Sequence, residues 1–353
     1  MATFDAPSGS YAYFVTEADG TGVQILNLSQ LDGLPEAADP SVQIPPVATW
    51  SEGGYDSAHN IFINQDTGFA YLAGVGLIGE ETACDGEPFA PSRFNALVLD
   101  LNSDPTDPTI AACIADAAEH DFYVVSYNGV DKDYKGREIA FVFDGRDKDA
   151  PSRLGQRQDD TPGEIVGGTT EIWDVTDKND IQVISSFAVP GMCFSHQGWT
   201  SDSRHQFLLI NDEIDEGRDA EPEGGFFRSL FCDTDTPGET ITNPGLYVVD
   251  IRDLDNPVFQ ERFEIDSPGD NDHNVHRRGN KMFWASYSAG TRVIKMQING
   301  KNAPLTLSEF AVLDSEPRPE AGQFNGQWGI YAFPDSDTIV ASDIRNGLII
   351  MTL

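Results

Sequence analysis

Four of the six histidines recur in one local setting: Ala58-His59-Asn60, Glu119-His120-Asp121, Ser195-His196-Gln197 and Asp272-His273-Asn274. Neutral imidazole is a ligand for Fe²⁺ and Zn²⁺, so His59, His120, His196 and His273 would form a transition-metal centre if they converged. The same four positions also suit a plainer task. Asn60, Asp121, Gln197 and Asn274 are side chains that tie loops together through backbone groups, and a neighbouring His can join such a network. A second candidate is the run Asp212, Glu213, Asp215 and Glu216. Carboxylates at that density suit Ca²⁺, but the spacing is not that of an EF-hand loop, and a solvated acidic loop has the same composition. Asp131 and Asp133 make a smaller cluster of this kind. Gly-x-Ser-x-Gly, His-Glu-x-x-His and phosphate-cradling glycine loops are absent, which favours a non-catalytic role.

The elements that would position these residues repeat. The histidines are 61, 76 and 77 residues apart. Each is followed by a short strand, such as Ile61-Phe62-Ile63 or Phe122-Tyr123-Val124-Val125. An aromatic-aliphatic strand comes next, as in Phe207-Leu208-Leu209-Ile210. A third apolar strand runs into an acidic turn, as in Leu246-Tyr247-Val248-Val249-Asp250, and a fourth, outer strand closes the unit, as in Val258–Phe263. Strand-only repeats of this size signal the blades of a β-propeller, and β-branched and aromatic runs suit strands covered on both faces. The Asp of each acidic turn is expected to cap its own backbone. Such a fold would carry equivalent positions of every blade to one axis, which is how scattered histidines could become neighbours.

The spacing predicts an all-β chain, one β-propeller domain over residues 1–353 with about six four-stranded blades. Blades start near residues 59, 120, 196 and 273. Residues 11–50 make a partial first blade and 328–353 a partial last one, so two are incomplete. Gly (33) and Pro (21) are spread throughout, as turns between many short strands require.

Acidic residues number 58 against 22 basic, a net charge of −36. A surface of that sign repels nucleic-acid phosphate and anionic lipid and attracts cations such as Ca²⁺. No stretch approaches the length of a membrane span. Cys84 and Cys113 fall in one repeat, Cys193 and Cys232 in another. Disulfides Cys84–Cys113 and Cys193–Cys232, and with them an oxidising compartment, are expected from this placement; four buried thiols are the alternative. The amino terminus has no basic segment or apolar core of a signal peptide, so an exported protein would have lost its leader or be part of a longer chain.

Several longer motifs stand in order along the chain. They include Tyr13-Phe14-Val15-Thr16-Glu17-Ala18, Ser57-Ala58-His59-Asn60-Ile61, and Ser195-His196-Gln197-Gly198-Trp199 followed by Asn211-Asp212-Glu213-Ile214-Asp215-Glu216. Asp272-His273-Asn274 and Phe324-Asn325-Gly326-Gln327-Trp328 complete them. On these the chain resembles the LVIVD-repeat proteins of the choice-of-anchor B family, over nearly its whole length. The resemblance implies a seven-bladed ring, here lacking its first blade, in a secreted or surface-exposed setting, and it implies no established reaction. The expected function is therefore a non-catalytic extracellular propeller that presents loops to a protein or glycan ligand, with Ca²⁺ stabilising some of them. The alternative is a metal-dependent enzyme built on the four histidines.

Overall fold

The computed structural model describes residues 1–34, 44–77, 96–114, 119–144, 168–192, 194–215, 241–315 and 324–353. The first antiparallel sheet is β1 (Ala2–Ala6), β2 (Gly9–Phe14), β3 (Val23–Asn27) and β4 (Ala48–Trp50). After a short strand β5 (Tyr55–Ser57) comes the second, β6 (Asn60–Asn64), β7 (Phe69–Ala73), β9 (Ala96–Asp100) and β10 (Thr109–Ile114); β8 (Gly76–Leu77) pairs with β5. The third is β11 (Glu119–Ser126), β12 (Glu138–Asp144), β13 (Thr169–Asp174) and β14 (Gln182–Ala188). The fourth is β15 (Gln197–Thr200), β16 (Phe207–Asn211), β17 (Gly245–Asp250) and β18 (Val258–Glu264). The fifth is β19 (Val275–Arg278), β20 (Lys281–Ser286), β21 (Gly290–Ile298) and β22 (Leu305–Leu313). The last has three strands, β23 (Gln327–Ala332), β24 (Thr338–Asp343) and β25 (Gly347–Thr352).

Each sheet is an up-and-down meander in chain order, and no α-helix occurs among the described residues. This is the β-propeller fold: five four-stranded blades and one of three strands. The expected partial first blade is corrected. Ala2–Ala6 forms its missing strand, with Phe4 opposite Tyr11, so that blade is complete. Pro7 and Ser8 sit in the turn, where Pro costs no ladder hydrogen bond. The three-stranded last blade is as expected.

The described chain forms two compact units. Unit one holds Met1–Ser126, Glu138–Val142 and Trp173–Gln182; unit two holds Tyr127–Arg137, Phe143–Ile172 and Val183–Leu353. In unit one, Phe4, Tyr13 and Ile25 of the first blade pack with Ile61, Leu72, Leu97 and Leu99 of the second. In unit two, Phe207, Leu209 and Val248 pack against Met282, Trp284 and Ile294. The opposite face of the fifth blade buries Phe283 and Val293 against Ala332 and Ile339. Both faces of these middle strands are covered, which is why β16 is buried at every residue. Each such apolar side chain contributes about 1.5–3 kcal/mol by leaving water.

The acidic turns behave as expected. Asp174 Oδ1 accepts from the Thr176 N–H (3.1 Å), and Asp250 Oδ1 from the Arg252 N–H (3.1 Å). In unit one a buried ion pair locks the neighbouring turns. Lys178 Nζ lies 2.8 Å from Glu138 Oε2 and donates to the Val175 carbonyl (2.6 Å). Glu138 Oε1 also accepts from Asn64 Nδ2 (2.9 Å) and Thr67 Oγ1 (2.7 Å). With these bonds the pair meets the demand that a buried charge be both paired and hydrogen-bonded.

Candidate functional site

His196 stands one residue ahead of β15, and His273 two residues ahead of β19. Packing of the fourth blade on the fifth makes them neighbours, with ring centroids 4.3 Å apart. Between them comes Glu213, from the turn after β16. Its Oε2 is 3.5 Å from His196 Nε2, and its Oε1 is 3.5 Å from His273 Nε2. The histidine side chains are 1% and 3% exposed and that of Glu213 15%, so the carboxylate sits in a nearly dry pocket between two imidazoles.

The turn that carries Glu213 is held from several sides. Asp212 accepts from the Phe194 N–H (3.0 Å) and the Ile214 N–H (3.1 Å). Asn271 Nδ2 donates to the Glu213 carbonyl (2.8 Å), and the Tyr287 hydroxyl donates to Glu213 Oε1. Burial, then the Glu213 charge, pushes Tyr287 far above the ordinary phenol range, so it remains a donor. His273 Nδ1 donates to the Trp328 carbonyl, which leaves Nε2 as the lone-pair nitrogen of the neutral ring. Asn211 Nδ2 approaches His196 Nδ1 at 3.4 Å and donates to the His273 carbonyl. The Trp328 and Tyr287 rings flank His273 at 4.5 and 4.8 Å. Tyr287 has φ 31°, a left-handed conformation that bulky residues rarely hold, and the close approach of Gly326 to its carbonyl depends on the missing side chain there.

The run expected to bind calcium does not act as one set. Asp212 spends its oxygens on backbone donors and Glu213 faces the histidines. Asp215 Oδ2 accepts from the Tyr247 hydroxyl (2.7 Å) and Arg262 Nη2 (3.3 Å). Asp272 is also fully buried and accepts from the Gly245 N–H (3.1 Å). Burial, then the Asp215 charge, raises its pKa well above the carboxylate range. Glu216 lies outside the described residues, as do Cys84, Cys193 and Cys232. Cys113 is in β10, packed against the core of unit one, and no described cysteine is a free thiol.

In unit one, His59 and His120 form a similar pair, with ring centroids 4.1 Å apart. His59 Nδ1 is 2.7 Å from Glu17 Oε1, and these side chains are 26% and 70% exposed. Asp121 accepts from Asn60 Nδ2 (2.8 Å) and from the Phe122 N–H (2.7 Å), the loop-tying role expected of both residues. Burial pushes its carboxyl up to about 6, against the pull of His59 and of these hydrogen bonds.

Asp131, Asp253 and Asp255 of unit two each place a carboxylate oxygen within 4.8 Å of the others. Asp131 Oδ2 accepts from the Leu254 N–H (3.0 Å), and Asp255 Oδ1 from the Tyr134 hydroxyl (2.8 Å). Asp131 was legible as a candidate. Its partners, in the acidic turn after β17, were legible only as a turn. Tyr287 was missed, although it follows the second strand of its blade much as Asp212 and Glu213 follow theirs.

No protein-family model matches the chain, and no curated protein matches it. Among solved structures it is similar to the β-propeller domain of Cps50 (Swd1) from Myceliophteria thermophila. Identity is 12% over 99% of this chain and 82% of that one, at a TM-score of 0.49. It is similar also to a protein from Lactobacillus plantarum, with 10% identity over 99% and 82% of the two chains and a TM-score of 0.47.

Proposed function

We propose that this β-propeller binds a divalent transition metal through His196, His273 and Glu213. The observation that carries the reading is the pair of Nε2 atoms, each 3.5 Å from a different oxygen of one carboxylate. Two imidazoles and a carboxylate are a ligand set for zinc and for non-haem iron. The surroundings suit it: His273 is held in the tautomer that offers Nε2, and Tyr287 orients the carboxylate. A metal bound there would supply Lewis-acid chemistry to an oxygen ligand. Of the four histidines of the sequence, His196 and His273 enter this reading; His59 and His120 form a neighbouring pair of their own in unit one. Elemental analysis after loading with Zn²⁺, Fe²⁺ or Mn²⁺ tests it. One equivalent of metal, lost in His196→Ala and in His273→Ala, is the expected result. No retained metal and no change in melting temperature with any of the three would defeat it.

The carboxylates of Asp131, Asp253 and Asp255 favour a second reading, the loop-presenting extracellular propeller stabilised by Ca²⁺. Disulfides Cys84–Cys113 and Cys193–Cys232 belong with that setting. Ca²⁺ bound only by the folded state raises the melting temperature by linkage. Calorimetry in millimolar Ca²⁺ should show that rise in the wild type and lose it in Asp253→Asn. An unshifted wild type removes calcium from the account.

A further inference from the structure

The fifth blade departs from the charge of the rest of the chain. The 36 residues from His273 to Ser308 contain no Asp or Glu, although the whole sequence has 58; they hold Arg277, Arg278, Lys281, Arg292, Lys295 and Lys301. Strand register lines three of these up. Arg278 lies opposite Lys281, and Lys281 opposite Lys295, in one row across β19, β20 and β21. Like charges directly opposite each other on a sheet repel, so the row works against the fold rather than for it. Among the described residues none of the three forms an ion pair with a carboxylate. Asp335 and Asp337 of the adjoining hairpin are no exception. Arg278 instead donates to the Phe333 carbonyl (3.0 Å) and lies 5.0 Å from the centre of the Phe283 ring. Lys281 Nζ lies 5.0 Å from the centre of the Phe310 ring.

Aromatic rings border this row. His276, on the same face as Arg278, has its ring 4.4 Å from that of Tyr331, which lies 5.1 Å from Phe333. Phe310, Tyr331 and Phe333 are 56%, 43% and 42% exposed. Large rings left in water beside unpaired cations mark an interaction surface.

We infer that the Arg278–Lys281–Lys295 row, with Tyr331 and Phe333 beside it, binds an acidic oligosaccharide. The cations would pair with sulfate or carboxylate groups, and the exposed rings would take the apolar faces of the sugars. Neighbouring strands are about 4.8 Å apart, so the row spans about 10 Å, the reach of a short oligomer. A nucleic acid needs a longer basic track, since specific complexes commonly engage about 6–10 phosphates. The net charge of −36 does not forbid the site. At physiological salt charges are screened beyond about 8 Å, so the local row dominates at contact.

The test is calorimetric binding at physiological ionic strength, where the net charge is screened, with EDTA present so that the metal reading is not involved. The probes are a sulfated hexasaccharide, an oligogalacturonate, sodium sulfate and a single-stranded oligonucleotide. Lys281→Ala/Lys295→Ala should lose about tenfold or more in affinity for at least one oligosaccharide, as expected when charge-assisted contacts are removed. Lys295→Glu should do the same should the double variant fold poorly, and Lys301→Ala, outside the row, should match the wild type. Tyr331→Ala should weaken oligosaccharide binding and leave sulfate binding unchanged. The stronger of the two oligosaccharides identifies the anionic group. No oligosaccharide binding by the wild type, equal binding by the row variants, equal loss in Lys301→Ala, or preference for the oligonucleotide would overturn the proposal.

Discussion

The two histidine pairs share a sequence setting and a ring separation, 4.1 Å for His59–His120 and 4.3 Å for His196–His273, yet they differ as chemical sites. His59 meets Glu17 through Nδ1 at a surface where Glu17 is 70% exposed. Ion pairs of that kind are worth about 0–1 kcal/mol, because water competes for both partners. His196 and His273 enclose Glu213 where water is nearly excluded. There, two imidazoles and a carboxylate interact in a low dielectric, and the turn is held by Asp212, Asn271 and Tyr287. Blade register alone is enough to make a histidine pair. A buried carboxylate from the next turn is what makes one pair a candidate site.

The largest expected contrast comes from deleting each carboxylate. Glu213→Ala should abolish retained metal, and Glu17→Ala should leave it unchanged, both read by elemental analysis. Equal effects would erase the distinction between the pairs. Next is the buried ion pair of unit one. Lys178→Met strands the Glu138 carboxylate in a site where both partners are at most 7% exposed. It should cost about 3–5 kcal/mol in urea unfolding, against less than about 1 kcal/mol for Glu17→Ala.

Asp121 sharpens the comparison through pH. Its folded pKa, about 6, lies above the unfolded value near 4, so the folded state holds its proton more tightly. The contribution of this group to stability is therefore full below pH 4, declines between pH 4 and 6, and is lost, about 3 kcal/mol of it, above that window. Asp121→Asn should flatten that decline. Melting curves across pH 4–6.5 for both proteins would show it, and parallel curves would mean that Asp121 titrates normally. The smallest effect is expected from Tyr287→Phe. It removes the hydrogen bond to Glu213 while keeping the ring, and should lower metal affinity about 10- to 100-fold with the fold intact.

Much of the architecture was legible in the residues. Apolar runs such as Phe207–Ile210 and Leu246–Val249 could only be strands covered on both faces, and the recurring histidine marked the start of four blades. The first strand was harder to see. Ala2–Ala6 carries only one large apolar residue, Phe4, before a proline, so its place rests on cross-strand pairing with Tyr11 and its neighbours. The acidic run at Asp212–Glu216 showed density but not direction. Asp212, Glu213 and Asp215 end in three different environments because a tight turn sends successive side chains to different sides. The basic row of the fifth blade was hidden by a net charge of the opposite sign.

Taken alone, the amino-acid sequence determined the repeat, the strand order within each blade and the residue types available for chemistry. These follow from alternation and turn chemistry, which act over a few residues. Tertiary structure decided which carboxylate meets which imidazole, and which cations stand side by side. Those pairings join residues from different strands and blades, and burial then sets their strength by excluding the water that would otherwise screen them.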